Sequence, residues 1–293
     1  MLARLQALIA SFLLVAILAW IGASIAGGHW RLAAAGPGAI AAGYALFMGA
    51  EFALMWRVQP ERPSLRQVSK AWWQELVTAP SIFLWRQPFR STALADFVPA
   101  APQGEVGVVL VHGFVCNRGL WNPWLVALKM RGTPCIAVNL EPPFGSIDGC
   151  VAAIDAAAQR LRAATGRPVV LVGHSMGGVA IRVWMARFDT DHDVRRVLTI
   201  GTPHHGTWLA RFGHTQNARQ LRQRNAWLQA LAARESASRR AKFTCYYSDC
   251  DNIVFPARTA TLPDAENVLV PGQAHMQLAF NPVVFDGLLR WLD

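Results

Sequence analysis

Cysteine is scarce and oddly counted: Cys116, Cys135, Cys150, Cys245 and Cys250 are the complete set. Five thiols without metal-ligand spacing exclude a disulfide framework and a cysteine zinc site, leaving only a Cys245–Cys250 pairing open in an oxidising compartment. Internal repeats and low-complexity tracts are also missing, which excludes solenoids and disordered tails. The formal net charge of +10 comes without a recognition helix, an aromatic stacking motif or a zinc finger, so nucleic acid is not the expected partner. Scattered basic residues beside apolar segments fit anionic lipid headgroups better.

Charge itself is absent from most of the first 56 positions. Leu5 to Ala26 holds no charged residue and Leu32 to Trp56 holds only Glu51, and each stretch exceeds the ~20 residues a membrane helix needs. The linker Gly27-Gly28-His29-Trp30-Arg31 separates them, so residues 1–57 read as a transmembrane hairpin. A cleaved leader remains open for the first segment, since Ala23-Ser24-Ile25-Ala26 supplies small residues, although its apolar run is longer than a usual signal core. Glu51, near the end of the second segment, is expected to snorkel or to face its partner helix.

Arg57, Arg62, Arg66 and Lys70 follow the second segment, whereas the linker carries only Arg31. The positive-inside rule then puts both chain ends in the cytoplasm, with the apolar pair in the inner membrane. A cleaved leader followed by a stop-transfer helix gives the same side; a single span would place the large domain outside.

Residues 58–102 have little periodicity and hold Pro60, Pro63, Pro80, Pro88, Pro99 and Pro102, reading as a connector packed on the membrane or on the domain's flank. Beyond it, strands are expected at 106–111, 135–140, 169–172, 194–200, 243–247 and 267–270. Helices fall near 119–131, 147–164, 177–188 and 282–292. That alternation predicts an α/β domain over 103–293, with a mostly parallel sheet flanked by helices.

The chemistry is carried by Val169-Val170-Leu171-Val172-Gly173-His174-Ser175-Met176-Gly177-Gly178. A buried-strand run ends in Gly-x-Ser-x-Gly and passes into a helix with apolar spacing over 179–188, which reads as a nucleophile elbow. A serine hydroxyl is a weak nucleophile and must stand clear of the sheet where a base and backbone donors reach it. Side chains at 173 and 177 are expected to collide across the turn, and Gly178 to let the helix approach the strand. His112-Gly113-Phe114 follows an earlier strand, so the backbone N–H groups of Phe114 and Met176 are the expected oxyanion donors. In chain order an acid and a histidine should follow. Asp251 lies just past the 243–247 strand, with Asp249 its rival, and His275 lies in the loop after the last strand. His275 would take the Ser175 proton and return it to the leaving alcohol.

These segments, with Gly201-Thr202-Pro203-His204-His205-Gly206-Thr207, resemble bacterial triacylglycerol lipases and related esterases of the α/β-hydrolase superfamily over about residues 103–293. The resemblance implies hydrolysis of a lipid or other carboxylic ester through an acyl-enzyme on Ser175, with no organic cofactor and no assignable metal site. Two features depart from it: Phe114-Val115-Cys116-Asn117-Arg118 replaces a further glycine near the oxyanion loop, and secreted lipases lack the hairpin. His112, Arg118, His204 and Trp208 are the remaining candidates for substrate contact. Trp208, Leu209, Phe212, Leu221, Trp227, Leu228 and Leu231 alternate with arginines over about 207–241, which suggests either amphipathic cap helices above the serine or a solvated insertion packed on the sheet. Acyl transfer or thioester hydrolysis would use the same machinery, and a scaffold that has lost its chemistry is the non-enzymatic alternative. Nothing in the sequence fixes an oligomeric state.

Overall fold

A computed structural model describes residues 1–100 and 104–292. Six strands, β1 (Val108–Val111), β2 (Cys135–Ala137), β3 (Val169–His174), β4 (Val194–Ile200), β5 (Phe243–Tyr247) and β6 (Glu266–Leu269), form one sheet in the order β2-β1-β3-β4-β5-β6. Every pairing is parallel. β1 and β3 are buried throughout because helices cover both faces of a parallel sheet. Alternate residues feed opposite cores: Val109, Val111, Val169 and Leu171 pack towards the helices Val151–Thr165 and Met176–Phe188, while Val108, Leu110, Val170 and Val172 pack towards Asn122–Met130 and Pro282–Leu289.

The register Val111↔Gly173 and His174↔Ile200 brings the carboxyl ends of β1, β3 and β4 level. In an open parallel sheet, this edge is where loops converge to build sites.

Ahead of the sheet, α1 (Leu2–Ala26) and α2 (Trp30–Val58) pack against each other. Both have the length and apolar composition to cross a membrane, with mean hydropathy 2.5 and 1.5. Only their lower ends are buried, through Leu2 and Gln6 on α1 and Met48, Phe52 and Met55 on α2. Phe12, Val15, Leu18, Leu46 and Phe47 stand exposed above them.

The connector is more ordered than its composition suggests. Ser64 opens α3 (Leu65–Pro80) with a capping box to Gln67. Pro80 lacks an N–H, and the chain widens after it into a π-helical turn, Ser81–Arg86, in which Gln87 N–H reaches the Ile82 carbonyl. A third core cluster, including Met55, Ala71, Phe255 and Ala274, joins α2 and α3 to the sheet domain.

The insertion after β4 packs on the sheet's flank. Arg182, fully buried in the helix Met176–Phe188, makes a two-pronged pair with Glu235 at 2.8 and 2.6 Å. Arg239 pairs with Asp189 and Asp191, and Arg240 with Asp264. These arginines are therefore occupied by the protein itself. The five cysteines are buried and free, so Cys245 and Cys250 do not pair.

Candidate active site

Ser175 lies between β3 and the helix Met176–Phe188 with φ 55° and ψ −128°. A non-glycine residue in this region is strained and is held only by its surroundings. Here the Ser175 N–H donates to the Ile200 carbonyl at 2.8 Å, fixing the turn to β4. A Cβ on Gly173 would fall 2.6 Å from the Gly178 backbone, as a collision across the turn requires. Gly177 is different: its Cβ would strike the carbonyl oxygens of Val111 and His112, so this glycine admits the end of β1. Gly178 faces Thr202 beyond β4.

The loop after β1 comes equally close, since a Cβ on Gly113 would lie 2.7 Å from the Ser175 Cβ. The next residue, Phe114, lines the same cavity as the serine, and Met176 is the first residue of the helix, where N–H groups have no intrahelical acceptor. Val115 follows with φ 56°, an uncommon state for a β-branched residue. Gln6 on α1 holds it, donating from Nε2 to the Val115 carbonyl at 3.1 Å. Asn117 completes this buried brace: its side chain donates to Gln6 Oε1 at 3.1 Å and to the Gln87 carbonyl at 3.0 Å.

His275 and Asp251 are brought together. His275 Nδ1 lies 3.0 and 2.9 Å from the two Asp251 oxygens, and Asp251 Oδ1 also accepts from the N–H groups of Ile253 at 2.9 Å and Val254 at 2.7 Å. Holding the proton on Nδ1 leaves Nε2 with a lone pair, the tautomer a general base needs. Burial alone would lower the His275 pKa, but the adjacent Asp251 carboxylate, with Glu75 and Glu51 further off, raises it above its ordinary value. Asp249 has another task, accepting the Gly272 N–H at 2.7 Å and so holding the loop that leads to His275.

The histidine turn is braced from the N-terminal helices. Glu75 on α3 accepts from the N–H groups of Met276 at 3.0 Å and Gln277 at 3.2 Å. It is buried, and loss of solvent raises its pKa to about 7 despite those two bonds and the nearby His275. Asn252 accepts the His275 N–H at 3.2 Å and donates to Glu51 on α2 at 3.0 Å. Glu51 therefore neither snorkels nor faces α1; it reaches the sheet domain, where an amide satisfies it. Sequence reasoning missed Glu75, Asn252, Gln6 and Gln87. The one available signal was Glu75 itself, an acid between Trp72-Trp73 and Leu76-Val77.

Ser175, His174 and His275 open into a cavity of ≈ 710 Å³. Phe114 lines it, as do α1 and α2. Among the described residues, none from 207–241 does, so the insertion does not line the cavity that holds the serine.

None of the four further candidates for substrate contact lines this cavity, and each has partners within the fold. His112 donates from Nδ1 to the Gly113 carbonyl at 2.9 Å and accepts the Leu140 N–H at 3.0 Å, tying β1 to the chain beyond β2. Its burial lowers its pKa to about 4, so it stays neutral. Arg118 is spent on the connector, donating to the Ser91, Leu94 and Ala137 carbonyls and pairing with Asp96 at 2.6 Å. His204 sits beneath the sheet edge, 3.0 Å from Thr199 Oγ1. Trp208 stacks on Phe255 with ring centroids 6.0 Å apart, because Thr207 pins its segment to the Ile253 carbonyl at 2.6 Å.

With this geometry in view, residues 108–291 match the model of the alpha/beta hydrolase family. No curated protein sequence matches. Among solved structures, the mature lipase BlEst2 of Bacillus licheniformis is similar at 19% identity, covering 67% of this chain and 95% of that one with a TM-score of 0.56. Aspergillus fumigatus lipase B is similar at 20% identity, covering 65% of this chain and 54% of that one with a TM-score of 0.57. At such identities the likeness is one of fold.

Proposed function

The chain belongs to the alpha/beta hydrolase family, and from that premise we propose that it is a membrane-anchored serine hydrolase that cleaves carboxylic esters of lipase or esterase type. The observation that carries this reading is the buried His275–Asp251 pair opening into one cavity with a strained Ser175. In the first half-reaction, His275 Nε2 takes the Ser175 proton as Oγ bonds to the ester carbonyl carbon. The oxyanion is received by the Phe114 and Met176 N–H groups, the ester C–O bond breaks, and His275 passes the proton to the leaving alkoxide. Water then repeats the sequence and releases the acid. Asp251 holds the imidazole through its contacts with His275 Nδ1.

The exposed apolar lengths of α1 and α2 are the membrane anchor in this reading. Arg57, Arg62, Arg66 and Lys70 at its foot support a cytoplasmic position for the hydrolase domain in the same reading. The test is hydrolysis of p-nitrophenyl esters in detergent, with fluorophosphonate labelling of the serine. Ser175→Ala should lose labelling and reduce kcat on the order of 10⁶-fold. Wild-type turnover by that variant would refute the assignment.

A further inference from the structure

In this cavity the wall facing the sheet domain includes α1 and α2, which makes the hairpin part of the site. Leu13 and Ile17 of α1 and Ile40, Ala41 and Phe47 of α2 share the cavity with Ser175 and His275. A second cavity of ≈ 230 Å³ continues from Ile17, Pro37 and Ile40 to Gly36 and Trp20. Together they form an apolar groove that starts at the serine and follows the hairpin outwards.

Its length can be read from α2. Glu51 stands at the base of the groove and Pro37 lies in its outer part, and at ~1.5 Å per helical residue their separation is about 21 Å. One leaflet contributes half of a ~30 Å hydrocarbon core, or roughly 15 Å. A full membrane-lipid acyl chain therefore fits along it. The polar groups Glu51, Glu75 and Asn252 are confined to the cavity's base around His275, where the ester group would sit.

We infer that the groove between α1 and α2 is the acyl-chain site, and that the substrate is a long-chain acyl ester entering from the bilayer through the hairpin. The inference rests on the ester-hydrolase reading of Ser175. The helices that cross the membrane then select the chain, while the short polar end of the cavity receives the carbonyl.

Filling the groove tests this. Ile40→Trp on α2 and Leu13→Trp on α1 are compared with wild type as the ratio of kcat/KM for p-nitrophenyl palmitate to that for p-nitrophenyl acetate. Because one methylene in an apolar pocket already shifts discrimination by ~10-fold or more, the ratio should fall at least about tenfold in both variants. An unchanged ratio in both overturns the acyl site. A second measurement uses the unaltered chain: a hexadecyl fluorophosphonate with a terminal diazirine, once bonded to Ser175, should crosslink to α1 or α2 near Ile17 and Ile40. Crosslinks confined to 207–241 overturn the inference. If Ser175→Ala leaves acetate hydrolysis intact, the ester-hydrolase reading itself fails; if that variant is dead and the ratio is unmoved, only the groove assignment fails.

Discussion

Replacing Glu75 by glutamine should flatten a pH dependence of stability that the native carboxylate creates. Glu75 is 2% exposed, and burial moves its pKa from 4.5 to about 7. That displacement corresponds to about 3 kcal/mol. Between these two values the folded chain holds a proton that the unfolded chain has released, so stability falls as pH rises through the window; below it both states are protonated, and above it the penalty is complete. Glutamine has no charge to desolvate. Its amide keeps one acceptor for the N–H groups of Met276 and Gln277, so it adds an offset that does not vary with pH. For a chain of this size about 2 °C in Tm accompanies each kcal/mol. The variant's Tm relative to wild type should therefore rise by roughly 6 °C between pH 4.5 and pH 7.5, measured by thermal unfolding in one detergent. Removing the carboxylate also removes one of the charges that raise the His275 pKa. The acid limb of kcat/KM should then move to lower pH, because the imidazole stays neutral further down. Tm curves that run parallel across the window would refute the reasoning, since Glu75 would then ionise as it does in water.

Gly201→Ala should lower kcat/KM by about 10²-fold, because φ is +54° and the new Cβ would come 2.9 Å from Asp251 Oδ2 and 3.2 Å from His275 Nδ1; wild-type kinetics would show that the pair can shift freely. Glu235→Ala should cost about 3–5 kcal/mol by leaving the buried Arg182 unpaired, read as a fall in Tm, and replacing both partners by apolar residues should recover most of it. A loss below 1 kcal/mol in the single variant would contradict that account.

The local signals were strong where one element carries them. Gly-x-Ser-x-Gly between a β-branched run and an apolar helix specifies a strand, a turn and a helix, and the structure places Ser175 there with φ 55°. β4 and β5 have the expected limits, Val194–Ile200 and Phe243–Tyr247. β2 ends at Ala137, short of the expected Leu140, because His112 takes the Leu140 N–H. The candidates drawn from motif neighbourhood did less well. His112, Arg118, His204 and Trp208 lie near motif residues in sequence, yet each is turned into the fold by a partner remote in the chain.

Sequence by itself determined the sheet, the serine turn and two apolar helices ahead of them, because each is written in periodicity or in glycines a few residues apart. Only tertiary structure decided that Asp251 and not Asp249 meets His275, that Glu75 and Glu51 brace that histidine, and that α1 and α2 rather than the 207–241 insertion wall the cavity. Several of those choices join residues some 200 positions apart, such as Glu75 with Met276 and Glu51 with Asn252. Local pattern cannot encode them, since they depend on which surfaces remain free to pack once the sheet has formed.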